Sequence, residues 1–159
     1  MVSGAVPHDD GVAGNLPREH SPGDHPMNVT SISLQLASDD PGRLVSFYRD
    51  TVGLPVVEGM GDHAFSLGGE SVLFLVDHSQ VSGPTREPAR AILDLHVADF
   101  DGEHLRLKAA GVHFSREKGV EYWGGVISTF NDPDGNIIQL IDYRPELARE
   151  EGEPAIALV

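Results

Sequence analysis

The sequence carries one pattern of apolar and polar residues twice, and this duplication restricts the folds open to the chain. Residues 31–54 (SISLQLASDDPGRLVSFYRDTVGL) read as an alternating strand followed by a helix, and residues 90–112 (RAILDLHVADFDGEHLRLKAAGV) have the same order. Asp40 and Asp99 occupy the strand-to-helix corner in each copy, where a carboxylate can accept a bond from a free backbone N–H. The pattern therefore predicts two units that each begin with a strand and a capped helix.

Further extended segments follow each helix, bounded by turn residues. The predicted strands are residues 55–60, 62–67 and 71–78 in the first unit and residues 112–118, 124–130 and 136–143 in the second. Neither unit, over residues 29–80 and 89–143, buries much apolar surface alone, so we expect the two to pack together. The expected fold class is α+β, with two βαβββ units forming curved mixed sheets around a concave cavity.

The two ends of the chain lack this pattern. Residues 1–28 are rich in Gly, Pro, Asp and His without a hydrophobic period, which is typical of a disordered leader, and Met27 is a possible alternative start. Residues 144–159 are expected to form a C-terminal tail. This leaves a single domain over residues 29–143.

Composition excludes several classes of function. The chain carries 11 Lys and Arg against 25 Asp and Glu, a net charge of -14, so no basic surface is available for nucleic acid. It contains no cysteine, which excludes disulfides, thiolate metal sites and cysteine nucleophiles. The sequence has neither an apolar run long enough to span a membrane nor a signal-peptide pattern, so we expect a cytoplasmic protein. The acidic balance either favours a cationic ligand or serves solubility alone.

Strand alternation predicts which side chains face the cavity. In the first strand Ile32 shares one face with the leucines, and in both opening strands this face packs on the helix. That leaves Ser33 and Gln35 on the opposite face of the first strand, and Asp94 and His96 on that of the second. Gln139 is the one uncharged polar side chain in the apolar run of the last strand. These polar faces are expected either to line a common groove or simply to be solvated.

The duplicated unit, the helix 40-DPGRLVSFYRDTVGL-54, the helix end 106-RLKAAGV-112 and the turn and strand 130-FNDPDGNIIQL-140 together resemble the vicinal oxygen chelate superfamily of glyoxalases, bleomycin-resistance proteins and extradiol dioxygenases. The resemblance covers residues 29–143 and implies a homodimer. Metal-using members carry ligands at strand positions that match Ser33, Ile92 and Gln139 here, with Leu73, Leu75 or Asp77 at the fourth. Since isoleucine cannot bind a metal and glutamine is a weak donor, we expect no metal cofactor; the alternative is a shifted site that uses His96, Asp94 and Gln139.

Two functional interpretations follow from the resemblance. In the first, the protein sequesters a small molecule without a metal, using polar anchors and aromatic walls, and the acidic balance favours a cationic one. The expected ligand contacts are Ser33, Gln35, His63, Phe65, Asp94, His96, Tyr122, Trp123 and Gln139. In the second, the protein is an enzyme, either metal-dependent or a metal-free acid/base catalyst in which Asp94 orients His96. A non-catalytic scaffold is a third and weaker alternative.

Overall fold

The duplicated pattern folds into two units, each with its own sheet, and each unit begins with a strand followed by a helix. The computed structural model describes residues 28–152 and the short strand at 156–157, and everything below concerns a compact unit that begins at Ser31. Residues 1–27 of the leader predicted at 1–28, and residues 153–155 and 158–159 of the predicted C-terminal tail, lie outside the described residues. Within the described part no helix is long and apolar enough to cross a membrane.

The first unit forms a three-stranded sheet. Its elements are β1 (Ser33–Ser38), helix α1 (Pro41–Ser46), which continues as a π-helix over Phe47–Val52, β2 (Ala64–Ser66) and β3 (Val72–Asp77). The strand order is β1-β3-β2, with β1 parallel and β2 antiparallel to β3. The strand predicted at residues 55–60 is wrong: only Val56 forms an isolated bridge, to Phe65. Pro55 and the positive-φ residues Gly59 and Gly61 break the ladder there.

The second unit has the complete predicted order. It consists of β4 (Ile92–His96), α2 (Phe100–Ala109), β5 (Phe114–Val120), β6 (Gly125–Asn131) and β7 (Ile137–Tyr143). The strand β8 (Ile156–Ala157) adds to β5, giving the order β4-β7-β6-β5-β8. β4 runs parallel to β7 and the other pairs are antiparallel. The α+β class with two curved mixed sheets is therefore confirmed.

Both predicted N-caps are present. The Asp40 carboxylate accepts a hydrogen bond from the Arg43 N–H at 3.2 Å, and the Asp99 carboxylate accepts one from the Gly102 N–H at 3.0 Å. The first helix ends at Gly53, whose φ of 82° is the left-handed conformation that glycine adopts without strain. Each cap satisfies a backbone N–H in the first turn that has no partner within the helix.

One apolar core is shared by both units. The helix stripe contributes Leu44, Tyr48 and Val52, and the helix-facing sides of the strands contribute further buried residues that include Leu73, Leu75, Phe130, Ile138 and Leu140. Leu34, Leu36, Leu93 and Leu95 pack partly buried against this core, as alternation predicted. Ile32 does not, because β1 begins one residue later and leaves its side chain 68% exposed.

The turn between β6 and β7 is tied to the first helix. The buried Tyr48 hydroxyl donates to Asp132 Oδ2 at 3.0 Å, and Arg43 pairs with Asp134. Asp132 also accepts bonds from the backbone N–H groups of Asp134 and Asn136, both at 2.9 Å. This network sets where β7 begins and hence the register of Gln139.

Candidate functional site

A polar row crosses the face of the second sheet that points away from the helices. Asp94 on β4, Gln139 on β7 and Thr129 on β6 are direct cross-strand partners, so their side chains share this face. The Gln139 amide donates to the Thr129 hydroxyl at 3.3 Å. One step along the strands, His96 lies opposite Ile141. The tertiary structure thus brings together Asp94, His96 and Gln139 from the predicted set.

Asp94 is the one member of this row with an unused charge. No other described residue makes a hydrogen bond or salt bridge with its carboxylate, and His96 interacts with it only through charge. Partial burial raises the pKa of Asp94 above its ordinary value, and the neighbouring His96 opposes this effect. A carboxylate in this state gains from a positively charged partner.

An aromatic pair covers one end of the same face. Trp123 lies in the turn before β6, and its ring folds over Gly125: a Cβ added at Gly125 would lie 1.9 Å from Trp123 Cη2. Gly125 is the cross-strand partner of Tyr143, and the Trp123 and Tyr143 rings stack with centroids 6.2 Å apart at 21°. Tyr143 lies four residues after Gln139 on β7, so both side chains point to the same face of the sheet. The aromatic pair and the polar row therefore share one surface.

Tyr143 was missed by the sequence analysis, although it ends the strand that carries Gln139. The signal was its in-phase position four residues after Gln139. Tyr122 next to Trp123 was predicted as a ligand contact, and its side chain is 41% exposed with no ring partner in the described part.

The predicted contacts from the first unit lie on the other sheet. Ser33 and Gln35 occupy the exposed face of β1, where Gln35 is the partner of Phe74. The His63 ring precedes β2, with its centroid 6.4 Å from that of Phe74. Phe65 must be corrected: it is completely buried in the core, because it pairs with Leu73 on the helix-facing side of the sheet. We therefore do not retain Phe65 as a ligand contact.

A cavity of about 610 Å³ lies along the outer edge of β4. Asp94 and His96 are the two predicted ligand contacts that line this cavity. The other lining residues were not predicted as ligand contacts: Val52, Gly53, Leu54, Ser66, Leu67, Leu93, Leu95, Val97, Glu103, Arg106, Leu107 and Leu140. These residues come from five separate segments, so no single strand pattern could have identified them.

The donor set does not fit the metal that the family resemblance implies. Of the family positions, Ile92 offers no donor atom, and Gln139, whose amide nitrogen donates to Thr129, offers only the neutral amide oxygen, a weak ligand. Leu73 and Leu75 are buried in the core. Across the described residues no three His, Asp or Glu side chains come close enough to hold an ion. Asp94, His96 and Gln139 supply one carboxylate and one imidazole, fewer than a divalent ion usually recruits.

The fold defines a protein of duplicated β-α-β units, and its second sheet carries a face with polar and aromatic side chains. A family model described as the Glyoxalase/Bleomycin resistance protein/Dioxygenase superfamily matches residues 13–140, and the chain belongs to this superfamily.

Three relatives illustrate the range of the family. The uncharacterized protein YraH of Bacillus subtilis (strain 168) is 24% identical over 121 residues, which cover 69% of this chain and 94% of YraH. TnmS3, an antibiotic binding protein from Streptomyces sp. CB03234, is 28% identical with a TM-score of 0.54, covering 72% of this chain and 93% of TnmS3. A glyoxalase/bleomycin resistance protein from the same Streptomyces is 27% identical with a TM-score of 0.55, covering 70% and 98%.

Proposed function

We propose that this protein binds and sequesters a small organic cation on the polar face of its second sheet, without catalysis and without the metal of its family. The observation that carries the proposal is the unpartnered Asp94 carboxylate in one row with the Gln139 amide, on the same surface as the Trp123–Tyr143 stack. A carboxylate, an amide and an aromatic plane are the groups that hold a flat cationic molecule.

Charge favours a cation over an anion. The chain has a net charge of -14, and the nearest basic side chain in the row, Arg116 beside Thr129, is paired with Glu121 at 2.5 Å. The field at this surface therefore attracts positive ligands and repels negative ones.

The similarity to an antibiotic binding protein supports the sequestration interpretation. TnmS3 shares the fold at 28% identity over most of both chains. A resistance protein of this kind needs tight binding and no reactive group, and the described face offers binding groups without a complete catalytic set. The homodimer implied by the family stays a prediction, which light scattering during size-exclusion chromatography would check.

The test uses Trp123 as its own reporter, because it is the single tryptophan of the chain. Proflavine serves as a planar aromatic cation, and anthracene-2-carboxylate as a planar anion. We expect proflavine to quench Trp123 emission saturably and the anion to quench it far less.

Two variants localise the binding. Asp94→Asn removes the charge with little change in shape and should weaken proflavine binding about three- to tenfold, as expected for an ion pair with an exposed carboxylate. Asp77→Asn is the matched control, since Asp77 is an exposed carboxylate at the end of β3 in the other sheet. Equal quenching by cation and anion, or equal effects of the two variants, would refute the proposal. Chemical conversion of a bound compound that depends on His96 would establish the enzyme alternative instead.

A further inference from the structure

We infer that the cavity along β4 is a second subsite that takes an apolar chain, so that the ligand is a cationic amphiphile with its positive head on Asp94. This inference rests on the proposed function for the head and goes beyond it for the tail. Asp94 and His96 belong to both the polar row and the cavity lining, so the two regions meet at the edge strand β4.

The walls of the cavity are suited to an apolar chain. Eight of the fourteen lining residues are leucines or valines, and the cavity volume of about 610 Å³ is within the range of small-molecule sites. The five polar members are Ser66, Asp94, His96, Glu103 and Arg106, and Glu103 and Arg106 are already paired with each other. An apolar body of a ligand therefore loses little hydrogen bonding on entering.

The sign of the head group follows from which rim charges are already satisfied. Arg106 donates to the carbonyls of Thr51 and Val52 at 2.9 and 2.7 Å and pairs with Glu103 at 2.8 Å. Its guanidinium is thus already bonded to the end of the first helix and to Glu103, so its charge is balanced without a ligand. Asp94 is the rim charge left without an ion-pair partner among the described residues, which selects a positive head.

The backbone of β4 adds acceptors beside Asp94. β4 is the last strand of its sheet, and the Val97 N–H donates to the Ile141 carbonyl at 3.0 Å. Alternation then turns the carbonyls of Asp94 and His96 away from β7, toward the open edge. A primary ammonium has three donors and can use the Asp94 carboxylate and an edge carbonyl together.

The experiment measures binding of straight-chain primary amines, from butylamine to dodecylamine, by calorimetry below their micelle concentrations. Straight-chain alcohols of the same lengths provide the uncharged comparison. We expect affinity to rise about fourfold for each methylene that enters the cavity, and then to level off once it is full. Amines should bind more tightly than alcohols, and Asp94→Asn should remove that difference.

Wall variants separate the cavity from general hydrophobic adsorption. Leu67→Gln and Leu54→Gln each place an amide in the lining at a partly buried position, and either should flatten the rise with chain length. Leu105→Gln is the matched control, because Leu105 is a leucine of α2 that is 65% exposed and outside the lining. Circular dichroism confirms that each variant is folded.

Two results would overturn the inference. The first is an amine affinity that does not depend on chain length, while proflavine still quenches Trp123 and Asp94→Asn still weakens that quenching. In that case the proposed function stands and the tail subsite is refuted. The other is an equal effect of Leu105→Gln and the wall variants. Chain-length dependence that survives when proflavine does not bind would instead retain the cavity and refute the proposed aromatic surface.

Discussion

Replacing Tyr48 with phenylalanine should destabilise the fold by about 2 kcal/mol. The Tyr48 side chain is completely buried, and its hydroxyl donates to the Asp132 carboxylate, which is itself 5% exposed. Removing a buried hydrogen bond to a charged group costs roughly 1.5–3 kcal/mol, because the acceptor loses a partner that water cannot replace. For a chain of this size about 2 kcal/mol corresponds to a fall in Tm of roughly 4–8 °C.

Urea unfolding followed by circular dichroism and by Trp123 emission measures this change. The midpoint should fall by about 1 M with an unchanged m-value. Tyr143→Phe is the control, because Tyr143 is 59% exposed and its hydroxyl has no partner in the described part. A loss below about 0.5 kcal/mol for Tyr48→Phe, or an equal loss for Tyr143→Phe, would show that the hydroxyl does not anchor the turn.

The same hydroxyl gives a pH dependence of defined sign. Burial, with a smaller contribution from Asp132, raises the pKa of Tyr48 well above its ordinary value of about 10. Above that pH the unfolded chain releases this proton and the folded chain keeps it, so stability is present below pH 10 and declines above it. We expect the free energy of unfolding of the wild type to fall more steeply than that of Tyr48→Phe, by up to about 1.4 kcal/mol per pH unit. Parallel profiles above pH 10 would contradict this assignment.

Two further substitutions probe the sheet face. Gly125→Ala places a methyl group where the Trp123 ring lies, 1.9 Å from Cη2, so the ring must leave the sheet; we expect a red-shifted Trp123 emission and weaker proflavine binding, and an unchanged spectrum would contradict the packing. Gln139→Glu restores a carboxylate at the family metal position, but Ser33 and Ile92 still supply no strong ligand. We expect metal content by plasma mass spectrometry to stay at background after incubation with Mn, Fe, Ni, Co and Zn, and a stoichiometric ion in this variant would show that the family positions are wrongly matched.

Local sequence signals were sufficient for most of the fold. The duplicated strand-helix pattern, the caps at Asp40 and Asp99 and the stop at Gly53 are short-range features, and all are present in the structure. The error at residues 55–60 arose because three apolar residues looked like a strand. Pro55 at the start of this segment, and Gly59 and Gly61 with positive φ at its end, interrupt strand pairing. Their backbone constraints outweigh the strand preference of the valine side chains.

For the site, alternation placed Asp94, His96 and Gln139 on the exposed face, because side-chain direction along a strand has a fixed period of two. The same rule failed for Phe65, since the phase of a three-residue strand is set by its partner β3 and not by its own sequence. Which polar residues meet depends on the parallel register of β4 and β7, a pairing between segments more than forty residues apart in the chain.

The sequence by itself determined the paired units, the acidic charge and the lack of a full ligand set at the matched metal positions. Only the tertiary structure decided that Trp123 lies over Gly125 against Tyr143, that the Arg106 guanidinium donates to carbonyls at the end of the first helix, and that a cavity opens along β4. The physical reason is that a cavity and an unpaired charge are defined by what neighbouring segments leave uncovered. That depends on how all the elements pack, and no local pattern encodes it.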